Sequence, residues 1–132
     1  MHTYKTWNGA MPTTAALAAV TTGTAIKTML QLATPATRQI KLIAWGYSLD
    51  DPPGADAVIE LLQTDVAATV TAHVAAGVQP LVPGMPASLL TLGTSATGYT
   101  ASAEGTPVTT RVFDTVSFSS TSAEAAAAMN YY

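Results

Sequence analysis

The stretch AVIELLQTDVAATVTAHV, residues 57–74, decides the fold class of this chain. In its first half, Ile59 and Leu61 fall on one face of an extended backbone, while the even-numbered positions fall on the other face. Asp65 marks a turn, after which Val and Ala alternate with Thr and His as far as residue 74. Because β-branched residues at this density favour strands over helices, the stretch predicts two consecutive β-strands, 57–64 and 66–74.

Similar alternation extends through much of the chain, between segments rich in proline and glycine. The further predicted strands cover 26–33, 38–49, 87–93, 98–104 and 108–118. Asp114 interrupts the apolar face of the last strand, which indicates a bulge. The segments 50–56 and 77–86 contain several prolines and are predicted to be loops. About six or seven short strands without a strand–helix–strand rhythm predict an all-β fold, an antiparallel β-sandwich or jelly roll.

Composition divides the chain into three parts. Residues 1–24 mix aromatic with small residues and lack a sustained helical period, so they are predicted to form an extended N-terminal arm. Residues 25–118 form the predicted β-sandwich domain. Residues 119–132 form a short C-terminal tail, in which AEAAAAM (123–129) has a high helix propensity but is too short to hold as an isolated helix.

Charged residues are scarce. They make up 10% of the 132 residues, against about 25% in a typical soluble domain. With a net charge of −3 there is no basic surface for nucleic acid, and no apolar run approaches the ~18–20 residues of a membrane span, so we expect neither as a partner. A chain with this few charges is typical of proteins that bury much of their exterior against partners, and we expect a homo-oligomer.

Groups that could perform chemistry are few and scattered. The chain has no cysteine and 2 histidines, and His73 is predicted on the polar face of its strand, as a surface or hydrogen-bonded residue. Three carboxylates in one loop, Asp50, Asp51 and Asp56, could ligate a hard cation, but their spacing favours a role in turning the chain. Nucleophile, phosphate-binding and dinucleotide motifs are lacking. We therefore expect no enzymatic activity and no cofactor or metal.

Six aromatic residues are the candidate contact residues: Tyr4, Trp7, Trp45, Tyr47, Tyr131 and Tyr132. The two in the middle of the chain lie two positions apart in a predicted strand, hence on one face of it. They fit a core, a subunit interface or a carbohydrate-stacking platform. The pairs near the two ends fit anchors on a neighbouring subunit, because Tyr and Trp offer a large contact area at low entropic cost.

The segments 25–65 and 98–107 resemble small capsid-associated proteins encoded by tailed phages and prophages of actinobacteria. The similarity lies in an opening strand AIKTMLQLATP, a strand RQIKLIAWGYSLD, an acidic loop, a strand VIELLQTD and the turn in GYTASAEGTP. Proteins of this kind continue with further strands after the AEGT turn, whereas this chain has one more predicted strand and then its tail. Whether the sheet is completed within one chain or by strand addition from a neighbour is left open.

The resemblance implies a decoration (cement) or minor capsid protein with a jelly-roll or β-sandwich fold. Such a protein is made in the host cytoplasm, binds the major capsid protein on the outside of the virion, bridges neighbouring capsid subunits and is often a trimer. The residues leave two alternatives open: a tail-associated structural protein, and a carbohydrate-binding β-sandwich that uses Trp45 and Tyr47.

Overall fold

The computed structural model describes residues 1–10, 18–106, 109–120 and 128–131. The ladders between its strands are antiparallel, and the described helical structure is limited to a 3-10 turn at Ala75–Gly77, which confirms the predicted all-β antiparallel class. The strands are β1 (Tyr4–Thr6), β2 (Leu30–Gln31), β3 (Ala44–Tyr47), β4 (Ala57–Thr64), β5 (Thr69–Ala72), β6 (Val78–Pro80), β7 (Gly98–Ala103), β8 (Thr110–Phe118) and β9 (Ala128–Tyr131).

The chain forms two compact units, each built from two segments of the sequence. Unit 1 comprises Met1–Gln39 and Val66–Val108, and unit 2 comprises Ile40–Asp65 and Thr109–Tyr132. The segment 25–118, predicted as one sandwich, is therefore divided between the two units. The boundaries predicted at 24 and 118 do not coincide with this division and stay predictions.

Unit 1 contains the buried core. Its sheets are the three-stranded β2–β7–β5 and the two-stranded β1–β6. Ala68, Val70 and Ala101 pack together as a buried cluster. The side chains are small because β7 approaches β5 closely: a Cβ at Gly98 would collide with the carbonyl oxygen of Thr71 and a methyl group of Val70.

Polar side chains connect the segments around this small core. The Oε1 of Gln31 accepts a hydrogen bond from the Ala68 amide at 2.9 Å, and its Nε2 donates to the Ala96 carbonyl at 2.6 Å. The Oγ1 of the fully buried Thr97 accepts a hydrogen bond from the Ala33 amide at 2.9 Å. Backbone groups that the sheets leave unpaired thus find partners, as buried polar groups must.

Unit 2 contains two two-stranded sheets, β4–β8 and β3–β9. The β4–β8 ribbon is paired along the whole of β4. Its register shifts between Leu61 and Leu62, so Phe113 is an extra residue of β8 and forms a bulge. The bulge predicted at Asp114 therefore lies one position earlier.

Two predicted strands are much shorter than expected. Within 26–33 only Leu30–Gln31 is a strand. The residues before it lie along β7 but make fewer ladder bonds to it, and the Thr28 amide instead donates to the Glu104 carboxylate at 2.8 Å. Within 38–49 only Ala44–Tyr47 is paired, and its partner among the described residues is β9. The strand predicted at 87–93 is reduced, among the described residues, to a single bridge between Leu92 and Thr97.

The N-terminal residues belong to a sheet and do not confirm the predicted arm. Tyr4–Thr6 pairs with Val78–Pro80, inside the segment 77–86 that was predicted to be a loop throughout. Pro80 is tolerated because it ends a strand of a two-stranded sheet, where its missing donor costs little. The arm prediction for residues 11–17 lies outside the described residues.

The C-terminal residues also pair. Ala128–Tyr131 forms β9 alongside β3, so the last two positions of the helix-favouring segment 123–129 lie in a strand. Pairing with an existing strand satisfies several backbone groups at once, whereas a short isolated helix is marginal in water. Residues 121–127 lie outside the described residues.

Candidate functional site

Trp45, Tyr47 and Phe118 form an aromatic cluster in unit 2. The ring centroids of Trp45 and Tyr47 are 5.8 Å apart with the rings tilted by 45°, and Tyr47 meets Phe118 edge to face at 5.3 Å. The first two share a face because they lie two residues apart on β3, and Phe118 is the last residue of β8. All three are half-buried. Rings that cover one another at these angles form a packed cluster rather than a flat stacking platform.

Asp114 anchors this cluster to the bulged strand. The indole Nε1 of Trp45 donates to Oδ2 of Asp114 at 3.2 Å, and Oδ1 of the same carboxylate accepts from the Thr115 amide at 2.9 Å. Because the extra residue Phe113 lies just before it, Asp114 stays in register opposite Leu61. Asp114 thus keeps the register of the C-terminal half of β8, which places its carboxylate where the Trp45 side chain reaches it.

One face of the β4–β8 ribbon exposes large apolar side chains. We call it the apolar ribbon face; it consists of Val58, Leu62, Val112 and the bulge residue Phe113. Val112 is 53% exposed and Phe113 is 59% exposed, and Leu62 lies directly opposite Val112 in the ladder. Glu60 is the one charged residue that β4 contributes to the ribbon. Exposed apolar side chains that lie together are a property that protein interaction surfaces share.

Unit 2 has no buried residue in the part whose burial is described, residues 40–65 and 109–120. The fully buried hydrophobic residues of the described chain, including Val70 and Val78, all belong to unit 1. Two-stranded sheets with open faces are marginally stable in water. A partner that covered the apolar ribbon face would therefore stabilise unit 2.

Tyr4 and Trp7, predicted as anchors, are partly engaged within unit 1. The Tyr4 hydroxyl donates to the Pro86 carbonyl at 2.9 Å, and the Lys5 ammonium lies 5.0 Å from the centre of the Trp7 ring. Both aromatic side chains are half-buried. Each keeps surface that a neighbour could contact, and their role as anchors stays a prediction.

The candidates near the C-terminus lie at the end of the described chain. Tyr131 is the last residue of β9 and pairs with Ala44, one residue before Trp45. Tyr132 lies outside the described residues. Of the six sequence candidates, the structure brings together Trp45 and Tyr47 and puts Tyr131 in the strand beside them.

The acidic loop is exposed, and the hydrogen bond seen at one of its carboxylates connects it to a distant segment rather than turning the chain locally. Asp50, Asp51 and Asp56 are all exposed, and Oδ1 of Asp56 accepts a hydrogen bond from the Ser120 amide at 2.9 Å. Within the part of the chain that the structure describes, no group of three or more His, Asp or Glu residues is close enough to hold a metal ion.

The placement of His73 differs from its predicted polar face. It is 4% exposed in unit 1, and its ring nitrogen Nε2 lies within hydrogen-bond distance of Thr6 and Trp7. Of the two predicted environments, the hydrogen-bonded one is confirmed and the surface one is wrong. Strand alternation identifies opposite faces but not what covers them, and here β1 covers the face that carries His73.

Sequence reasoning also missed Val112, Phe113 and Phe118 as surface and cluster residues. The sequence signal for them was the adjacent apolar pair Val112 and Phe113, just before Asp114. Two adjacent apolar residues interrupt strand alternation, as a bulge does, and a bulge changes which residues share a face.

Comparisons with protein-family models, curated proteins and solved structures give no match for this chain. Among the described residues no helix is long and apolar enough to cross a membrane. What the protein does must therefore be inferred from its own surfaces, of which the apolar ribbon face is the most distinctive.

Proposed function

We propose that this chain is a non-enzymatic structural protein of a phage particle, a decoration or minor capsid protein that binds the outside of the capsid. The observation that carries the proposal is the uncovered apolar surface of unit 2, which lacks buried residues over 40–65 and 109–120. The resemblance of 25–65 and 98–107 to capsid-associated proteins supports the same role.

The apolar ribbon face has the properties of a surface that another protein covers. Completing the burial of a half-exposed Val, Leu or Phe side chain contributes about 1 kcal/mol, so its four side chains together contribute about 4 kcal/mol. Net charge is only −3, so little electrostatic repulsion opposes close contact between copies or with a shell. A contact of this strength is weak alone and becomes firm when many copies bind one particle.

Two kinds of partner cover unit 2 in this proposal. The major capsid protein contacts the apolar ribbon face, and each bound copy bridges neighbouring capsid subunits. Further copies of the chain, as a trimer about a local symmetry axis, pair with the strands of β3–β9 and β4–β8, each of which has one ladder partner among the described residues. Strand addition of this kind completes a sandwich of the jelly-roll type.

The aromatic candidates serve as additional contacts. Tyr4 and Trp7 are half-buried in unit 1, and Tyr131 lies on β9 at the end of the described chain. Together with Trp45, Tyr47 and Tyr132 they provide aromatic surface near the chain ends and in unit 2. Such residues favour interfaces because a rigid ring buries a large area with little loss of entropy.

The test is co-sedimentation of the purified chain with undecorated shells assembled from the major capsid protein of the same virus, with the mass of the free chain measured by light scattering. We expect a trimer that saturates the shells. Replacing Val112 by Thr and Phe113 by Ser together should lower the apparent affinity for shells by at least tenfold, because about 2 kcal/mol of apolar burial is lost per copy.

The control variant replaces two apolar side chains of unit 1 that are at least as exposed as Val112 and Phe113. Val74→Thr with Leu89→Ser changes residues that are each 66% exposed, and shell binding should be unchanged. A chain that stays monomeric and does not sediment with shells, or two variants that bind equally well, would contradict the proposal.

A further inference from the structure

His73 sits at the junction of the N-terminal strand with the rest of unit 1. It follows β5 directly, and its ring lies beside the end of β1, the Ala75–Gly77 turn and β7. The centre of the Tyr99 ring is 4.9 Å from the centre of the imidazole. We call His73, Thr6, Trp7, Gly77 and Tyr99 the His73 junction.

The hydrogen bonds of the junction fix which imidazole nitrogen carries the proton. The Thr6 hydroxyl donates to the Gly77 carbonyl at 2.9 Å, so its oxygen is left to accept a bond from Nε2 of His73 at 3.1 Å. The Trp7 carbonyl oxygen, 3.0 Å from the same nitrogen, can only accept. Nε2 is therefore the donor, and the neutral ring carries its hydrogen there.

The other nitrogen, Nδ1, is packed against Gly77. A Cβ at position 77 would collide with Nδ1, so the ring occupies the space that a side chain would need. A second proton on Nδ1 would therefore point at a closely packed backbone.

Among the described residues, the elements packed around His73 carry no carboxylate that could balance a positive charge. β1 carries Tyr4 and the cation Lys5, and β7 carries Tyr99. The remaining neighbours β5, the Ala75–Gly77 turn and β6 carry no titratable side chain. Protonated His73 would be a buried cation with no anion beside it, which costs several kcal/mol unless water reaches the ring.

β1 is the part of the junction that opens most easily. Its ladder to β6 covers three residue pairs, one of which is formed by Pro80 and lacks a backbone donor. Outside the ladder, Thr3 accepts a bond from the Leu81 amide and the Thr100 hydroxyl donates to Asn8. Opening β1 exposes His73 to water, whereas opening β5 or β7 would disrupt the buried cluster at Val70.

We propose that His73 is a pH-sensitive latch, whose protonation releases β1 and the residues on either side of it, Trp7 included, from unit 1. The device frees the half-buried rings of Tyr4 and Trp7 in mild acid and holds them in place at neutral pH. It is a property of unit 1 and holds whether or not the chain binds a shell.

The direction of the pH effect follows from burial. Burial lowers the pKa of His73 below its ordinary value of 6.5, and the hydrogen bond to the Trp7 carbonyl offsets this in part. In the open form the ring is hydrated and titrates near 6.5, so between the two pKa values the open form binds more protons. The closed form is thus fully favoured above pH 6.5 and is lost as pH falls, with the open-to-closed ratio rising up to tenfold per pH unit.

The test is hydrogen exchange of backbone amides in the full chain at pH 7.5 and 5.0, corrected for the intrinsic exchange rate at each pH. We expect the protection of the β1 amides to fall at least tenfold at pH 5.0, while Val70 in β5 stays protected. His73→Gln keeps a donor near the Nε2 position and cannot titrate, so its β1 protection should not depend on pH. His2→Gln removes the other histidine and should behave as the wild type.

A second measurement covers the case in which His73→Gln does not fold. NMR titration of the wild-type protein should show an Nε2–H tautomer for His73 and a pKa of His73 below its ordinary value of 6.5. Protection of β1 that is independent of pH, pH dependence that persists in His73→Gln, or a His73 pKa at or above 6.5 would each overturn the latch.

Discussion

A side chain at position 98 would meet the neighbouring strand. The Cβ of an alanine there would overlap the Thr71 carbonyl oxygen and a Val70 methyl group, and Thr71 cannot retreat because it belongs to the β5–β7 ladder. Glycine is thus required at position 98 by close approach of two backbones rather than by an unusual dihedral angle.

Gly98→Ala should destabilise unit 1 by about 1–3 kcal/mol, the usual cost of forcing extra volume into a packed site. The measurement is a urea titration in which the NMR amide signals of Val70 and Ala101 report on unit 1. Gly54→Ala is the matched control, because nothing lies within 4 Å of a Cβ at position 54, and it should leave these midpoints unchanged. Equal midpoints for the two variants would contradict this account of the β5–β7 packing.

Single residues also show where sequence reasoning stops. Alternation predicted that His73 and Val74 point to opposite faces, but it could not predict that β1, nearly seventy positions earlier, covers His73, which is 4% exposed, while Val74 is 66% exposed. Burial depends on contacts distant in sequence, and a periodic pattern carries no information about which segment supplies them.

At the scale of elements, the β4–β8 ribbon shows how one extra residue changes a surface. The ladder on either side of the bulge is regular, with Ile59 opposite Val116 and Leu62 opposite Val112. Phe113 has no partner in this register. The bulge adds a large apolar side chain to the exposed surface, while the neighbouring Asp114 keeps its register and its bond to Trp45.

Deleting Phe113 should therefore leave both halves of the ladder in register, because the residue takes part in no pair. We expect the NMR contacts between Ile59 and Val116 and between Leu62 and Val112 to persist, together with the hydrogen-bonded indole signal of Trp45. Deleting Thr115 instead should move Asp114 to the opposite face and shift that indole signal. Loss of the ladder contacts after deletion of Phe113 would show that the bulge is needed for pairing.

The elements that the sequence predicted well have strong local signals. β4 has its predicted bounds, Ala57–Thr64, since an alternating run is enclosed between a loop with two prolines and Asp65. β9 was not predicted, because AEAAAAM favours a helix locally and the pairing with β3 is a tertiary effect. β2 was predicted too long because side-chain bonds such as that from the Thr28 amide to Glu104 replace ladder bonds before Leu30, which alternation cannot reveal.

At the scale of the whole molecule, the division into two units could not be read from the sequence. Each unit combines segments far apart in the chain, and composition shows no boundary at 39 or 65. The scarcity of charge did predict exposed apolar surface, and the structure locates part of it at Val112 and Phe113. Neither the pairing of distant segments nor the identity of a covering partner is encoded in a local pattern.

The most direct test of the central proposal, that another protein covers unit 2, is amide hydrogen exchange of β4 and β8 in the free chain and in shell-bound chain. The account predicts that exchange across Ala57–Thr64 and Thr110–Phe118 slows at least tenfold on binding, while the β5–β7 core around Val70 changes little. Shell-bound chain in which β4 and β8 exchange as fast as in the free protein would contradict it.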